Sequence, residues 1–189
     1  METVIKKLLE ETGALQKGHF ILSSGKHSEY YVQCARLFEN PSIGDTVGAM
    51  VAQLIMKYRP QTIVGPAMGG IHLTYSTAKY LGIRNIFAER EKDTGKMALR
   101  RGFTVSPGEK VAVVEDVVTT GGSVKEVIQV LREHGADVVA VASIVYRGQN
   151  VDFGVPHHYL IKLDFPVYES ENCPLCKQGI PAVKPGSRK

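Results

Sequence analysis

The chain predicts a mostly parallel, twisted α/β sheet flanked by helices, on three observations. Short apolar runs alternate with segments of helical periodicity between residues 62 and 146. The runs are continuously apolar, as strands covered on both faces require, and glycines mark the turns that follow them. Ligands on such sheets sit at the carboxyl ends of the strands, so the loops after Val64, Ala88, Val114 and Tyr146 are the places to search.

Each element has its own signal. Residues 3–12 place Val4, Ile5, Leu8 and Leu9 on one helical stripe, with Gly13 as the stop. "HFILSSGKHSEYYVQ" reads as two extended pieces around the turn "SSGKHS". Asn40 is an N-cap with Pro41 at the first helical position, and Ile43, Val47, Met50, Val51, Leu54 and Ile55 keep helical spacing as far as Tyr58. "TIVGP" is a buried strand leading into "AMGG"; Ile71 to Leu81 is a helix ended by Gly82, and "NIFAE" is a second strand. Lys110 to Val114 is a third strand, feeding a helix from Ser123 to His134. In that helix Ser123 and Glu126 form a capping box, and Val124, Val127, Ile128 and Leu131 form the apolar stripe. Gly135 ends the helix, and "DVVAVASIVY" is a further buried strand.

Length and composition set the bounds. A chain of 189 residues suits one domain, 1–189, with residues 1–40 as a cap over the ligand edge of the sheet and residues 166–189 as an irregular, proline-rich tail. No apolar run approaches the ~20 residues that span a bilayer. "METVIKKLLEETG" mixes charge with apolar residues, unlike a secretory signal. An odd count of three cysteines argues against a disulfide framework and for a reducing cytoplasm. The net charge of +4 is modest for a nucleic-acid binder. Five of the basic residues gather with three acidic ones in "EREKDTGKMALRR", residues 89–101, a pattern that also suits a small polyanion.

The chemistry centres on "VAVVEDVVTTGGSVKE", residues 111–126. A strand, a glycine turn and a helix start together form an anion cradle, because free backbone N–H groups and the positive end of the helix dipole converge there. Thr119, Thr120 and Ser123 add hydroxyls, and Gly121 and Gly122 let the backbone approach closely. Neither the Walker-type phosphate loop nor the dinucleotide glycine pattern is present. The turn alone is equally compatible with an unliganded strand–helix connection. Glu115 and Asp116 tip the balance: carboxylates there repel a bare phosphate but suit vicinal hydroxyls and a hard divalent cation. A ribose with a phosphate at one end and a metal-bound polyphosphate at the other satisfies all of these groups, as in 5-phosphoribosyl-1-pyrophosphate.

Strand, acidic pair, two apolar residues and "TTGGS" resemble the signature of the type I phosphoribosyltransferases. The flanking segments resemble their orotate-specific branch over nearly the whole chain. "TGALQKGHFILSSGKHSEYYVQCARL" looks like the N-terminal base-binding hood, "VGPAMGGI" like the pyrophosphate loop, "FAEREKDTGKMALRRGF" like the mobile catalytic loop, and "VASIVYRG" like the strand ending in a substrate arginine. The resemblance implies a type I phosphoribosyltransferase fold that transfers phosphoribosyl to orotate in pyrimidine biosynthesis. It implies Mg2+ held mainly by the ligand, and a homodimer in which loop 89–101 reaches the neighbouring site. It places Glu115, Asp116, Val117, Val118, Thr119, Thr120, Gly121, Gly122 and Ser123, with Met68, Gly69 and Gly70, around the donor. Arg147, Thr119, Ser24, Lys26 and Tyr31 fall around orotate, with Ser23 and Tyr30 beside them. Arg90, Lys96 and Arg100 stabilise the leaving group, and Asp116 completes the catalytic set. The chain departs from the family pattern in three places: no histidine in the mobile loop, Met68-Gly69-Gly70 where many relatives carry a lysine, and Ser23 where some carry a lysine.

Cys173 and Cys176 have C-x-x-C spacing, half of a tetrahedral zinc site; Cys34, His157 or His158 could complete it only by a fold-back or across a dimer. A reduced pair in a packed tail is the simpler reading, with His157 and His158 at a strand entry. Two rival functions remain at this level: transfer to another base, and a non-catalytic sensor of the donor. The sensor predicts a DNA-binding appendage for which the chain has no room.

Overall fold

The computed structural model describes residues 1–22 and 24–185, and Ser23 therefore lies outside the described residues. The N-terminal cap consists of α1 (Glu2–Glu11), β1 (Leu15–Ile21) and β2 (His27–Val32). Ile5 and Leu9 of α1 are fully buried, whereas Val4, expected on the same stripe, is 52% exposed. Next come α2 (Pro41–Ile55), β3 (Thr62–Pro66), α3 (Gly70–Leu81), β4 (Arg84–Arg90), β5 (Met97–Leu99), β6 (Lys110–Val118), α4 (Gly122–Glu133), β7 (Asp137–Tyr146), β8 (His157–Lys162), β9 (Val167–Tyr168) and α5 (Pro174–Lys177).

The main sheet has the order β5-β4-β3-β6-β7-β8. Its strands pair in parallel except for β5, which runs antiparallel to β4. One apolar cluster joins α1, α2 and α3 to one face through Leu9, Val51, Ile55 and Leu73. The other joins α4 to the opposite face through Val124, Val127, Leu131 and Val113. Asn40 caps α2 as its type requires, its Oδ1 accepting the Ser42 N–H at 3.0 Å. A Cβ at Gly48 would meet the backbone of Ser76 at 2.6 Å, so glycine is what lets α2 and α3 lie this close.

Four elements differ from the sequence-based expectation. The third strand does not stop at Val114 but runs to Val118, because Glu115, Val117 and Val118 keep pairing with β7. The acidic pair therefore sits on rigid strand rather than in a loop. The capping box of α4 does not form: Gly121, at φ +75°, is the N-cap, with no side-chain cap bond. Glu126 instead accepts two bonds from the Arg90 guanidinium, at 2.7 and 3.0 Å. A bidentate charge-assisted pair is stronger than a carboxylate bond to a single neutral N–H. Residues 89–101 are not one free loop, since β5 folds back on β4 with Glu89 opposite Ala98 and Arg90 opposite Met97. Met97 is buried against the α4-side core and anchors this hairpin.

The tail is also more ordered than its composition suggests. Strand β9 adds to the free edge of β2, giving a three-stranded hood sheet, β1-β2-β9. Val183 exchanges backbone bonds with the other edge strand, its N–H donating to His19 O at 2.9 Å and its carbonyl accepting from Ile21 N–H at 2.8 Å. Unpaired edge groups of the hairpin are what draw the tail in. Strand β8 begins at His157, which places that histidine at a strand entry as expected.

Candidate active site

The cradle forms where β6 ends and α4 begins. A cavity of roughly 300 Å³ is lined by Glu115, by residues 117–124, and by Arg90 and Glu126 on its rim. Thr119 and Thr120 are exposed toward solvent and Ser123 is half-buried. Gly121 is confined from both sides: its φ is left-handed, and a Cβ would lie 2.7 Å from Val151 and 2.8 Å from Phe153. The chain can turn this sharply into α4 only without a side chain there.

The acidic pair faces the turn after β3. Glu115 is 9% exposed and its Oε1 accepts the Asp116 N–H at 3.1 Å; Asp116 Oδ1 accepts the Val117 N–H at 2.8 Å. A Cβ on Gly69 would stand 2.9 Å from Asp116 Oδ2, and one on Gly70 would be 3.6 Å from Glu115 Oε1. The "MGG" turn and the two carboxylates are thus in van der Waals range across adjacent strand ends, with Met68 82% exposed at the mouth. The sequence segments that resemble the pyrophosphate loop and the ribose-binding pair converge as expected.

Arg147 directly follows β7, its N–H held by the Val118 carbonyl at 2.8 Å. Gly148 lies against the Thr119 carbonyl at a distance no Cβ would permit, which draws the arginine toward the cradle. The guanidinium stacks over the Phe165 ring at 5.5 Å, and Tyr30 of the hood stacks on the same ring, centroids 4.5 Å apart and planes 19° from parallel. Burial lowers the Arg147 pKa, partly offset by the Asp164 charge, though guanidinium stays charged under any ordinary condition. Tyr31 donates to Gln33 Oε1 at 3.2 Å. Its phenol is pushed up by burial and then by the charges of Asp116 and Cys34, which places it toward the acidic pair. Tyr30 thus reaches Arg147 through the Phe165 stack, while the Tyr31 ring lies against Phe20, centroids 5.7 Å apart. Phe165 escaped sequence reasoning, for "LDFPV" carries no periodicity or motif, and only a lone aromatic before proline marked it.

The remaining predicted residues are placed less centrally. Lys26 pairs with Glu169 of the tail at 2.8 Å, and Ser24 Oγ accepts the Lys26 N–H at 3.4 Å; both residues are exposed. Of the three loop cations only Arg90 lines the cavity, where it is held by Glu126 and by the Gly95 carbonyl at 2.9 Å. Arg100 lies 3.9 Å from Glu89, and Arg101 makes the closer bonds to it at 2.9 and 3.1 Å. The hydrogen bond from Arg101 holds the Glu89 carboxyl below its usual range. Lys96 is exposed on the hairpin. None of the three groups offered as zinc partners for the C-x-x-C pair is near it. Cys34 is buried with its Sγ 4.0 Å from the Asp116 carbonyl, His157 meets Ser143 Oγ at 3.0 Å, and His158 meets Tyr58 Oη at 2.8 Å. Burial, then the charge of His158, lowers the His157 pKa to about 4, so it packs as a neutral ring among Tyr146, Phe153 and Tyr159.

A mostly parallel sheet with a glycine turn and helix start at the end of one strand, and an acidic pair beside it, is the arrangement that the phosphoribosyltransferase signature leads one to expect. Residues 33–159 match the phosphoribosyl transferase domain family. Over 186 residues the chain is 68% identical to the orotate phosphoribosyltransferase of Thermotoga maritima, covering 98% of each chain. It is 51% identical to that of Caldanaerobacter subterraneus, covering 98% of this chain and 97% of the relative. The crystal structure of the Aeropyrum pernix orotate phosphoribosyltransferase superposes with a TM-score of 0.70 at 27% identity, over 84% of this chain and 93% of that one. The chain belongs to the orotate phosphoribosyltransferase family.

Proposed function

We propose that this chain transfers the phosphoribosyl group of 5-phosphoribosyl-1-pyrophosphate to orotate, giving orotidine 5′-phosphate and pyrophosphate. The observation that carries the choice of acceptor is Arg147: a half-buried, ring-stacked cation set beside Thr119, at the edge of the cradle. Orotate is a flat ring bearing a carboxylate. A planar guanidinium can grip that carboxylate with two parallel bonds.

Transfer proceeds by displacement at the anomeric carbon. The ring nitrogen of orotate attacks, positive charge develops on the ribose as the bond to pyrophosphate breaks, and the configuration inverts. The protein supplies no nucleophile. The 119–123 turn holds the 5′-phosphate, Glu115 and Asp116 hold the ribose hydroxyls, and the 68–70 turn receives the pyrophosphate, so alignment is provided by groups on strand ends and short turns. Arg90, Lys96 and Arg100 offset charge on the leaving group, and the hairpin that carries them shields the reacting atoms from water. Arg90 must leave Glu126 to do so, whereas Lys96 is already at the exposed tip. The Asp116 carboxylate, which faces the 68–70 turn, would help to hold a Mg2+ ion carried in with the donor, and such an ion would supply charge neutralisation to the departing pyrophosphate. We assign the exposed 89–101 hairpin to the neighbouring site of a homodimer and the enzyme to the cytoplasm. Among the described residues no helix is long and apolar enough to cross a membrane.

Two measurements test this. Incubated with phosphoribosyl pyrophosphate, magnesium and a panel of bases, the protein is expected to release pyrophosphate with orotate alone. Turnover of uracil or hypoxanthine in place of orotate would overturn the assignment. Phe165→Ala, which removes the ring shared by Tyr30 and Arg147, is expected to raise the KM for orotate about tenfold, given the ~1 kcal/mol typical of aromatic pairs plus lost packing. The KM for the donor should hardly change. A larger effect on the donor than on orotate would place Phe165 outside the base pocket.

A further inference from the structure

The C-x-x-C pair of the tail meets two histidines of the hood hairpin. His19 lies at an irregularity of the hairpin register two residues before Ile21, which is opposite His27, and the two rings meet with His19 Nε2 2.7 Å from His27 Nδ1. The tail follows β9 along that sheet, turns at Ser170–Asn172 and delivers Cys173 and Cys176 onto the same spot. One ligand atom from each of the four residues lies within 4.8 Å of the other three. His19, His27 and Cys173 are buried, at 4%, 7% and 0% exposure, while Cys176 closes the outer side.

The separations match a tetrahedral ion. Zn–S bonds of about 2.3 Å and Zn–N bonds of about 2.0–2.1 Å place S and N ligands about 3.6 Å apart. Cys173 Sγ is 3.5 Å from His19 Nε2; Cys176 Sγ is 3.7 Å from His19 Nε2 and 3.3 Å from His27 Nδ1. The two ring nitrogens are 2.7 Å apart, closer than the about 3.4 Å of a tetrahedral site, so the rings part by a fraction of an ångström on binding.

Proton bookkeeping points the same way. His19 Nδ1 lies 2.7 Å from the Ile180 carbonyl, which can only accept, so this nitrogen carries the hydrogen and Nε2 presents a bare lone pair. Three neighbours crowd that one lone pair, His27 Nδ1 and both sulfurs, and only one of them can donate to it. A soft cation with two thiolates satisfies all four groups at once. The carbonyl behind His19 is the outer partner that metal-bound histidines ordinarily have.

We propose that His19, His27, Cys173 and Cys176 bind one zinc ion in a closed, structural site, separate from the magnesium of the donor. The ion staples the C-terminal tail to the hood hairpin, joining residues 154 positions apart in the chain. The hood is a three-stranded sheet with little core of its own, the kind of unit that a metal stabilises most. Tyr30, Tyr31 and Lys26 all ride on it or beside it, so the zinc sets the rigidity of the base-binding wall without touching substrate.

Full-length protein expressed with added zinc is expected to contain one zinc per chain by elemental analysis. Cobalt(II) exchanged into it should show the intense visible bands of a tetrahedral, thiolate-bound ion. Zinc should fall below a tenth of stoichiometry in both Cys176→Ser and His27→Gln. Chelation of the wild-type protein in the absence of substrate should lower Tm by roughly 5–10 °C, restored by zinc but not by magnesium. Wild-type protein that folds without stoichiometric metal and gives no cobalt spectrum would overturn the proposal, as would recovery of a Cys173–Cys176 disulfide in its place. Because the metal count and the chelation experiment use the wild-type chain, a variant that fails to fold does not blunt the test.

Discussion

Arg147→Ala is expected to raise the KM for orotate by about 10²–10³-fold, with the affinity for phosphoribosyl pyrophosphate changed by less than about threefold. Arg147 is half-buried, its guanidinium stacked on the Phe165 ring, and the next residue, Gly148, packs against the Thr119 carbonyl. A carboxylate brought there without it would be desolvated and unpaired, and losing one partner of such a pair typically costs about 2–5 kcal/mol. Arg147→Lys should recover only part of the loss, because an ammonium offers a point charge where the carboxylate needs a planar fork. Steady-state kinetics with each substrate varied in turn, and calorimetry for donor binding, read the two effects separately. Equal weakening of both substrates would mean that Arg147 organises the cradle rather than the base site.

Asp116→Asn is expected to lower kcat/KM by about 10²–10³-fold and to weaken donor binding in the same variant. The substitution is nearly isosteric. The amide oxygen can still accept the Val117 N–H that Oδ1 now holds at 2.8 Å, so Tm should stay within a few degrees of wild type. What is lost is the negative charge beside the turn at Gly69, which the proposed mechanism sets against the ribose hydroxyls and the cationic transition state. Near-normal activity with near-normal donor affinity would remove Asp116 from the site. The two variants are complementary: one separates acceptor from donor, and the other couples donor binding to chemistry.

Much of the sheet domain was legible because its signals are local. Asn40-Pro41, the continuous "TIVGP" and "DVVAVASIVY" runs, and Gly82 and Gly135 each report a constraint met within a few residues of themselves. The cradle was legible for the same reason, since turn, glycine and helix start are consecutive. Misreadings arose where a distant partner competed with a local one. Glu126 looked committed to Ser123 but is held by Arg90, 36 positions away, through a stronger charged pair. The strand end at Val114 was set too early because carboxylates look like loop residues, whereas pairing with β7 carries the strand through them. Phe165 and the two hood histidines belong to no periodicity or motif, being isolated residues whose partners arrive from elsewhere in the hood, the end of β7 and the tail.

The sequence by itself determined the class of sheet, the strand, turn and helix start of the proposed donor cradle with its acidic pair, and the strand-end place of Arg147, because each is written in residues adjacent along the chain. Only the tertiary structure decided what packs on Arg147 and what meets between the hood and the tail. Tyr30, Phe165 and Arg147 form one stack from three segments, and His19, His27, Cys173 and Cys176 form one cluster from the two ends of the chain. Stacking and metal coordination depend on separations of a few ångströms in space. Folding sets those separations between residues that periodicity and motif spacing, which act over a few turns of chain, cannot relate.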